Sequence, residues 1–129
     1  MINSSAFNYV NVLDKAADAC WIRNNVMANN IANVDTPNYK RQDVSFDSLL
    51  SRALEADPVL DNAVNNMDLN SITPIVYTDQ SNLSYRTDGN NVDIDVEQAK
   101  YAENQIKYNA VLDSITEEFK RISNVLQSV

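Results

Sequence analysis

Residues 94–129 read IDVEQAKYAENQIKYNAVLDSITEEFKRISNVLQSV, and their spacing decides the fold. Ile94, Gln98, Tyr101, Gln105, Tyr108, Leu112, Ile115, Phe119, Ile122, Leu126 and Val129 alternate by four and three, and nine of these eleven are apolar or aromatic. A period of 3.5 residues held this long is the seam of a coiled coil, in which each apolar knob meets a partner helix. Ala99, Ala102, Ile106, Ala110, Val111 and Val125 widen the stripe. Asp95 is placed to cap the helix, with Gln98 three residues on as in a capping box. Lys120 and Arg121 stand near the far end, where the helix dipole favours cations. At about 1.5 Å per residue the helix would be roughly 50 Å long.

Outward from this helix, the distribution of Pro and Gly divides the chain. Pro37, Pro58, Pro74 and the single Gly89 all lie between residues 34 and 93, and the flanks have neither. The expected fold is therefore mainly α: an N-terminal helix in 1–35, a small irregular middle in 36–93, and the coiled-coil helix in 94–129, the two long helices pairing. On the first helix Val10, Leu13, Ala17, Cys20, Asn24, Met27, Ile31 and Val34 repeat the three-four alternation with smaller residues. A lone polar residue in such a seam, here Asn24, can fix register at a cost in stability. The many Asn residues make this helix weak by itself and dependent on packing. In the middle, Phe46 to Ala56 has helical spacing, 59–73 is expected to be loop or disordered, and Ile75–Thr78 with Leu83–Thr87 could close a small hairpin.

The composition excludes several function classes. The chain has 129 residues, enough for one domain, with no His and one Cys. That removes the commonest general base, an intrachain disulfide and Cys-based zinc sites. One glycine cannot supply a phosphate loop, a dinucleotide loop or a G-x-S-x-G turn. The run from Asp88 to Asp95 fails as a calcium loop, because Asp93 stands where the loop needs Gly. The reading is no enzyme, no cofactor and no metal. Net charge is −8, and it comes from residues 53–97, where nine acids face only Arg86. Without a basic stripe there is no reason to expect nucleic-acid or direct lipid binding. Residues 1–14 lack the pattern of a secretory signal, and no apolar run is long enough to span a membrane. The terminal stripes look wider than one partner helix can cover. Two readings follow: a subunit that joins other subunits, or a helical hairpin that completes its own core.

Residues 27–42, MANNIANVDTPNYKRQ, are the most distinctive stretch. A helix runs out in a series of Asn residues, Pro37 fixes φ, and Asn38 tolerates φ > 0, so a type II turn is expected with Tyr39 folding back as an anchor. The stretch resembles the N-terminal signature of the flagellar rod and hook family of axial proteins, close to A-N-N-I-A-N-x-x-T-P-G-Y-K. Asn38 stands here where Gly is usual. The run from Asp88 to Asp95, followed by residues 105–110, is similar to one of the short proximal-rod members and unlike the tail of the other, the FlgC type.

The resemblance implies a structural subunit of the bacterial flagellar basal body, without catalytic activity. It implies export by the flagellar type III route without a cleaved signal, and self-assembly through the terminal helices into a torque-transmitting shaft. The implied partners are the chain itself, FlgC-like rod proteins, a FliE-type adaptor, the membrane ring and the export gate. Assembly contacts are then expected at Val10, Leu13, Ala17, Met27 and Ile31, and at Tyr108, Leu112, Ile115, Phe119, Ile122 and Leu126. Asn30, Asn33, Thr36, Pro37, Asn38 and Tyr39 make up the family's turn motif, and its turn Thr36-Pro37-Asn38-Tyr39 is expected to set where the chain leaves the shaft. The alternatives are a FlgC-type rod protein and a soluble helical adaptor or export chaperone.

Overall fold

The structure is a computed structural model that describes residues 5–80 and 86–127. Two long helices, α1 (Ser5–Ala32) and α4 (Ile94–Gln127), enclose β1 (Gln42–Ser45), α2 (Asp47–Leu54), α3 (Leu60–Asn66) and β2 (Ile75–Thr78). The most extensive packing in the molecule is between α1 and α4. They run antiparallel: Asn30 of α1 meets Glu97 of α4, and Cys20 and Asn24 meet Asn104. Two long helices with a mixed middle between them are the fold that the Pro and Gly partition predicts.

α1 uses two adjacent faces. Val10, Leu13, Ala17, Cys20, Asn24, Met27 and Ile31 are buried or half-buried on the ladder whose Cys20 and Asn24 bond α4. The neighbouring face carries Ala16, Ala19, Ile22 and Val26, which join Val44 of β1, Phe46 just before α2, Leu49 and Leu50 of α2, and Met67 and Ile72 in one apolar cluster. The middle segment thus folds onto the first helix and fixes β1 beside it.

Three details depart from the sequence reading. Residues 60–66, expected as loop, form α3, which buries Ala63 and Val64. The helix is held from outside: Tyr9 Oη donates to Asp61, and Asn8 Nδ2 donates to Asn65 Oδ1 at 3.1 Å. β2 forms as expected but pairs antiparallel with β1, in the register Gln42↔Thr78 to Ser45↔Ile75. Most of the expected partner strand, residues 83–85, lies outside the described residues. Finally, the cap of α4 is Asp93, not Asp95. Asp93 Oδ1 accepts from the N–H groups of Asp95 (3.0 Å) and Val96 (3.2 Å), two donors that the first turn leaves without partners.

Candidate functional site

The Asn-rich motif ends α1 and ties it to everything that follows. Asn33 Nδ2 bonds back to Asn29 O at 2.8 Å, and Thr36 Oγ1 donates to Asn33 Oδ1 at 3.1 Å. Tyr39 N donates to Thr36 O across Pro37 and Asn38, and Asn38 has φ +59°, the conformation that a type II turn needs at that position. A helix C-terminus leaves carbonyls without partners. Here Asn90, fully buried, donates through Nδ2 to Asn33 O, Val34 O and Thr36 O at 2.9–3.0 Å, and Arg86 reaches Val34 O at 2.9 Å. Asn38 N donates to Asp88 O at 2.8 Å. The DGNN stretch therefore serves as a cap on a helix more than fifty residues earlier in the chain.

Asn30 is the hub of a buried polar clip. Its Oδ1 accepts from Gln42 N (2.9 Å) and Tyr39 Oη (3.1 Å), and its Nδ2 donates to Gln42 O (2.7 Å) and Glu97 Oε2 (3.0 Å). Glu97, with no exposed surface, also accepts from Arg41 Nε. Arg41 completes its fork with Asp79 (2.7 Å) and Asp43 (2.8 Å). A guanidinium supplies five donors in a fixed fork, so it can serve three carboxylates at once. These hydrogen bonds and charges together push the Arg41 pKa up against the burial that would lower it. Burial also works to raise Asp43, but the bonds from Arg41 and from Val44 N–H outweigh it and hold Asp43 below the usual carboxylate range. For Tyr39, burial and then the charge of Glu97 push the phenol up. The clip joins the last turn of α1, the turn, β1 and the first turn of α4.

A second polar set lies lower on α4. Lys107 Nζ reaches Asp47 Oδ1 at 2.9 Å, and Arg23 reaches Asp47 at 3.1 Å and Val44 O at 2.8 Å. Arg23 Nε is 3.4 Å from Asp43 Oδ1, close enough for charge attraction but misaligned for a hydrogen bond. Burial would raise Asp47, yet the Lys107 and Arg23 bonds hold it below its ordinary value. These groups border a cavity of about 170 Å³ with Lys100, Glu103 and Asn104. Among the described residues no cluster of His, Cys, Asp and Glu could hold a metal ion, and no helix is long and apolar enough to cross a membrane. Cys20 is buried, and burial pushes its thiol up, away from reactivity.

The apolar stripe of α4 proves to be two overlapping seams. Tyr101, Tyr108, Ile115 and Ile122 are half-buried and common to both. The line that completes the contact with α1 is Glu97, Asn104, Val111 and Glu118, one residue before the line read from the sequence. The expected line of Gln98, Gln105, Leu112, Phe119 and Leu126 faces solvent instead, with Leu112, Phe119 and Leu126 at 40%, 51% and 64% exposure. Full burial of a Leu or Phe side chain is worth about 1.5–3 kcal/mol. The second seam is therefore apolar surface that the lone chain leaves uncovered. Of the expected contact residues, Val10, Leu13, Ala17, Met27 and Ile31 lie on the buried ladder of α1, Tyr108, Ile115 and Ile122 are shared, and the other three are outward.

Sequence reasoning passed over Arg41, Asn90, Glu97 and Asn104, the buried polar groups that organise the site. Glu97 and Asn104 had a usable signal: they fall at the same three-four spacing as Tyr101 and Tyr108.

Comparison with known proteins places the motif in context. A family model described as flagella basal body rod protein matches residues 14–40, most of α1 and the turn. The chain is 40% identical over 117 residues to the flagellar basal body rod protein FlgB of Bacillus subtilis (strain 168), covering 88% of this chain and 89% of the relative. It is 34% identical over 128 residues to FlgB of Borrelia hermsii, covering 92% and 95%. With FlgB of Escherichia coli (strain K12) it shares 32% identity over 119 residues, 82% of this chain and 83% of the relative.

Proposed function

The chain belongs to the FlgB family of flagellar basal body rod proteins, and from that premise we propose how it works as a proximal-rod structural subunit. Membership puts it in the flagellar basal body, in association with other rod components. In our reading α1 and α4 form one rigid unit. The ladder of Val10, Leu13, Ala17, Met27 and Ile31 is spent inside the subunit against α4. Leu112, Phe119 and Leu126 then take the contact to the neighbouring subunit. Tyr108, Ile115 and Ile122, lying between the two lines, touch both partners. The clip around Asn30, with Asn33, Thr36, Pro37, Asn38 and Tyr39, holds the middle segment at a fixed angle to the helix pair, so that torque passes through a stiff joint. The subunit carries out no catalysis and takes no cofactor. It leaves the cell by the flagellar type III route without a cleaved signal, and meets FlgC-like subunits, a FliE-type adaptor, the membrane ring and the export gate.

The observation that carries this reading is the outward line of Leu112, Phe119 and Leu126 on a helix whose other seam is already filled. Leu112→Asp tests it. The variant should fold and be secreted but be missing from purified basal bodies; normal motility with wild-type incorporation would count against it.

A further inference from the structure

On α4, α1 has a choice of two seams, and it takes the less apolar one. They differ by about 50° of rotation about the α4 axis, since their flanking lines are one residue apart at about 100° per residue and the central line is common. In the lower half of α4, apolar burial alone favours the other seam, which would cover Leu112 and Phe119 in place of Val111 and Glu118. In the upper half both lines are polar, Glu97 and Asn104 against Gln98 and Gln105, so hydrogen bonds decide. There Asn104, 3% exposed, donates through Nδ2 to Cys20 O and Asn24 Oδ1, both at 2.8 Å. Asn24 in turn donates to Gln105 Oε1 at 2.8 Å, which keeps Gln105 at the rim of the interface.

We propose that Asn104 is the residue that selects the seam: it directs α1 onto the polar line of α4 and so keeps the apolar line free. Its Oδ1 is buried with no hydrogen-bond partner among the described residues. A half-satisfied buried amide costs stability. Its two donated bonds, to Cys20 O and Asn24 Oδ1, exist only on the polar line; they offset that cost and hold α1 there, much as a single Asn in a coiled-coil seam fixes the pairing. The Glu97–Asn30 bond holds the same phase at the top of the helix. Asn104 extends the phase past the middle, where the greasier alternative begins. The part of the inference that gives the free line its purpose rests on the assembly reading above.

The test uses the full chain with Cys20→Ala and a single reporter cysteine, Val111→Cys, on the line now half-buried against α1. Asn104→Ala, which removes both bonds without making the present line more apolar, is added, and maleimide labelling at position 111 is compared with that of a parallel variant carrying Leu112→Cys as its single reporter, on the line now exposed. A seam switch turns position 111 outward and position 112 inward: labelling should accelerate at least tenfold at 111 and slow severalfold at 112. Unchanged labelling overturns the proposal. So does faster labelling at both positions, which would mark Asn104 as an ordinary stabilising contact. Should Asn104→Ala not fold, Asn24→Ala removes one of the two acceptors and is read by the same pair of reporters. Incorporation into basal bodies is a separate arm, expected to fall at least tenfold for a switched subunit. A switched subunit that still incorporates would refute the assembly reading and leave the seam choice standing.

Discussion

Asn38 and Gly89 share one tight spot. Both have positive φ, +59° and +75°, and a Cβ on Gly89 would stand 2.7 Å from Asn38 Oδ1. Gly89→Ala should therefore destabilise the chain by about 1–3 kcal/mol through strain and the clash. Asn38→Gly removes the colliding oxygen, so the double variant should recover part of that loss, measured as a coupling energy by urea unfolding. Glu97 has a different cost. Glu97→Ala leaves Arg41 buried with only Asp43 and Asp79 and takes an acceptor from Asn30. Breaking a buried pair by truncating one partner costs about 3–5 kcal/mol, and the two remaining carboxylates place this case near 3. A urea midpoint unchanged by Glu97→Ala would show that the clip is not a unit.

The helices separate two substitutions that sequence alone treats alike. Leu112 is outward, whereas Ile115 is half-buried on the line shared with the α1 contact. Leu112→Asp should shift the stability of the isolated subunit by less than about 0.5 kcal/mol, as is usual for an exposed site. Ile115→Asp should cost several times more, because it puts a charge against α1. Thermal unfolding of the two variants side by side checks this, and equal losses would mean that α1 packs on the other seam.

The same comparison shows what was legible. α1, α2 and α4 declare themselves because each repeats apolar residues at helical spacing, with prolines and the glycine only between the long helices. α3 does not, because seven residues with two buried side chains carry no period, and Asn8 and Tyr9 hold it from more than fifty residues away. β1 is four residues with one fully buried side chain, Val44, too short for alternation to register. Which of the two α4 lines faces α1 is not legible from apolar spacing, for a physical reason. Counting apolar residues selects the greasiest line, while the fold uses the line whose Glu97 and Asn104 find hydrogen-bond partners. The turn residues of the motif could be read locally, but the partners that give them work, Asn90 and Arg41, are polar residues in stretches without a pattern.

For the whole molecule, charge sets a limit on the acid side. Asp43 and Asp47 are held below the usual carboxylate range by Arg41, Lys107 and Arg23. Their folded pKa values lie below the unfolded value of about 3.9. The folded state thus binds protons less readily than the unfolded one, so the stabilisation is complete above about pH 4 and is lost as pH falls through the folded values. The urea midpoint should hold from pH 7 to 5 and drop below pH 4, with a shallower drop in Asp43→Asn. An acid limb of the same slope in that variant would mean that other carboxylates dominate. On the same scale, the molecule is a helix pair with its middle segment pinned at one end and an open apolar line along the other.

Whether that line meets a neighbour is tested most directly by a photo-crosslinking amino acid at position 119 in basal bodies assembled with this subunit. The account predicts a covalent adduct between rod subunits that depends on assembly and is missing from the isolated chain. Fully assembled rods in which position 119 gives no adduct to any neighbouring subunit would contradict it.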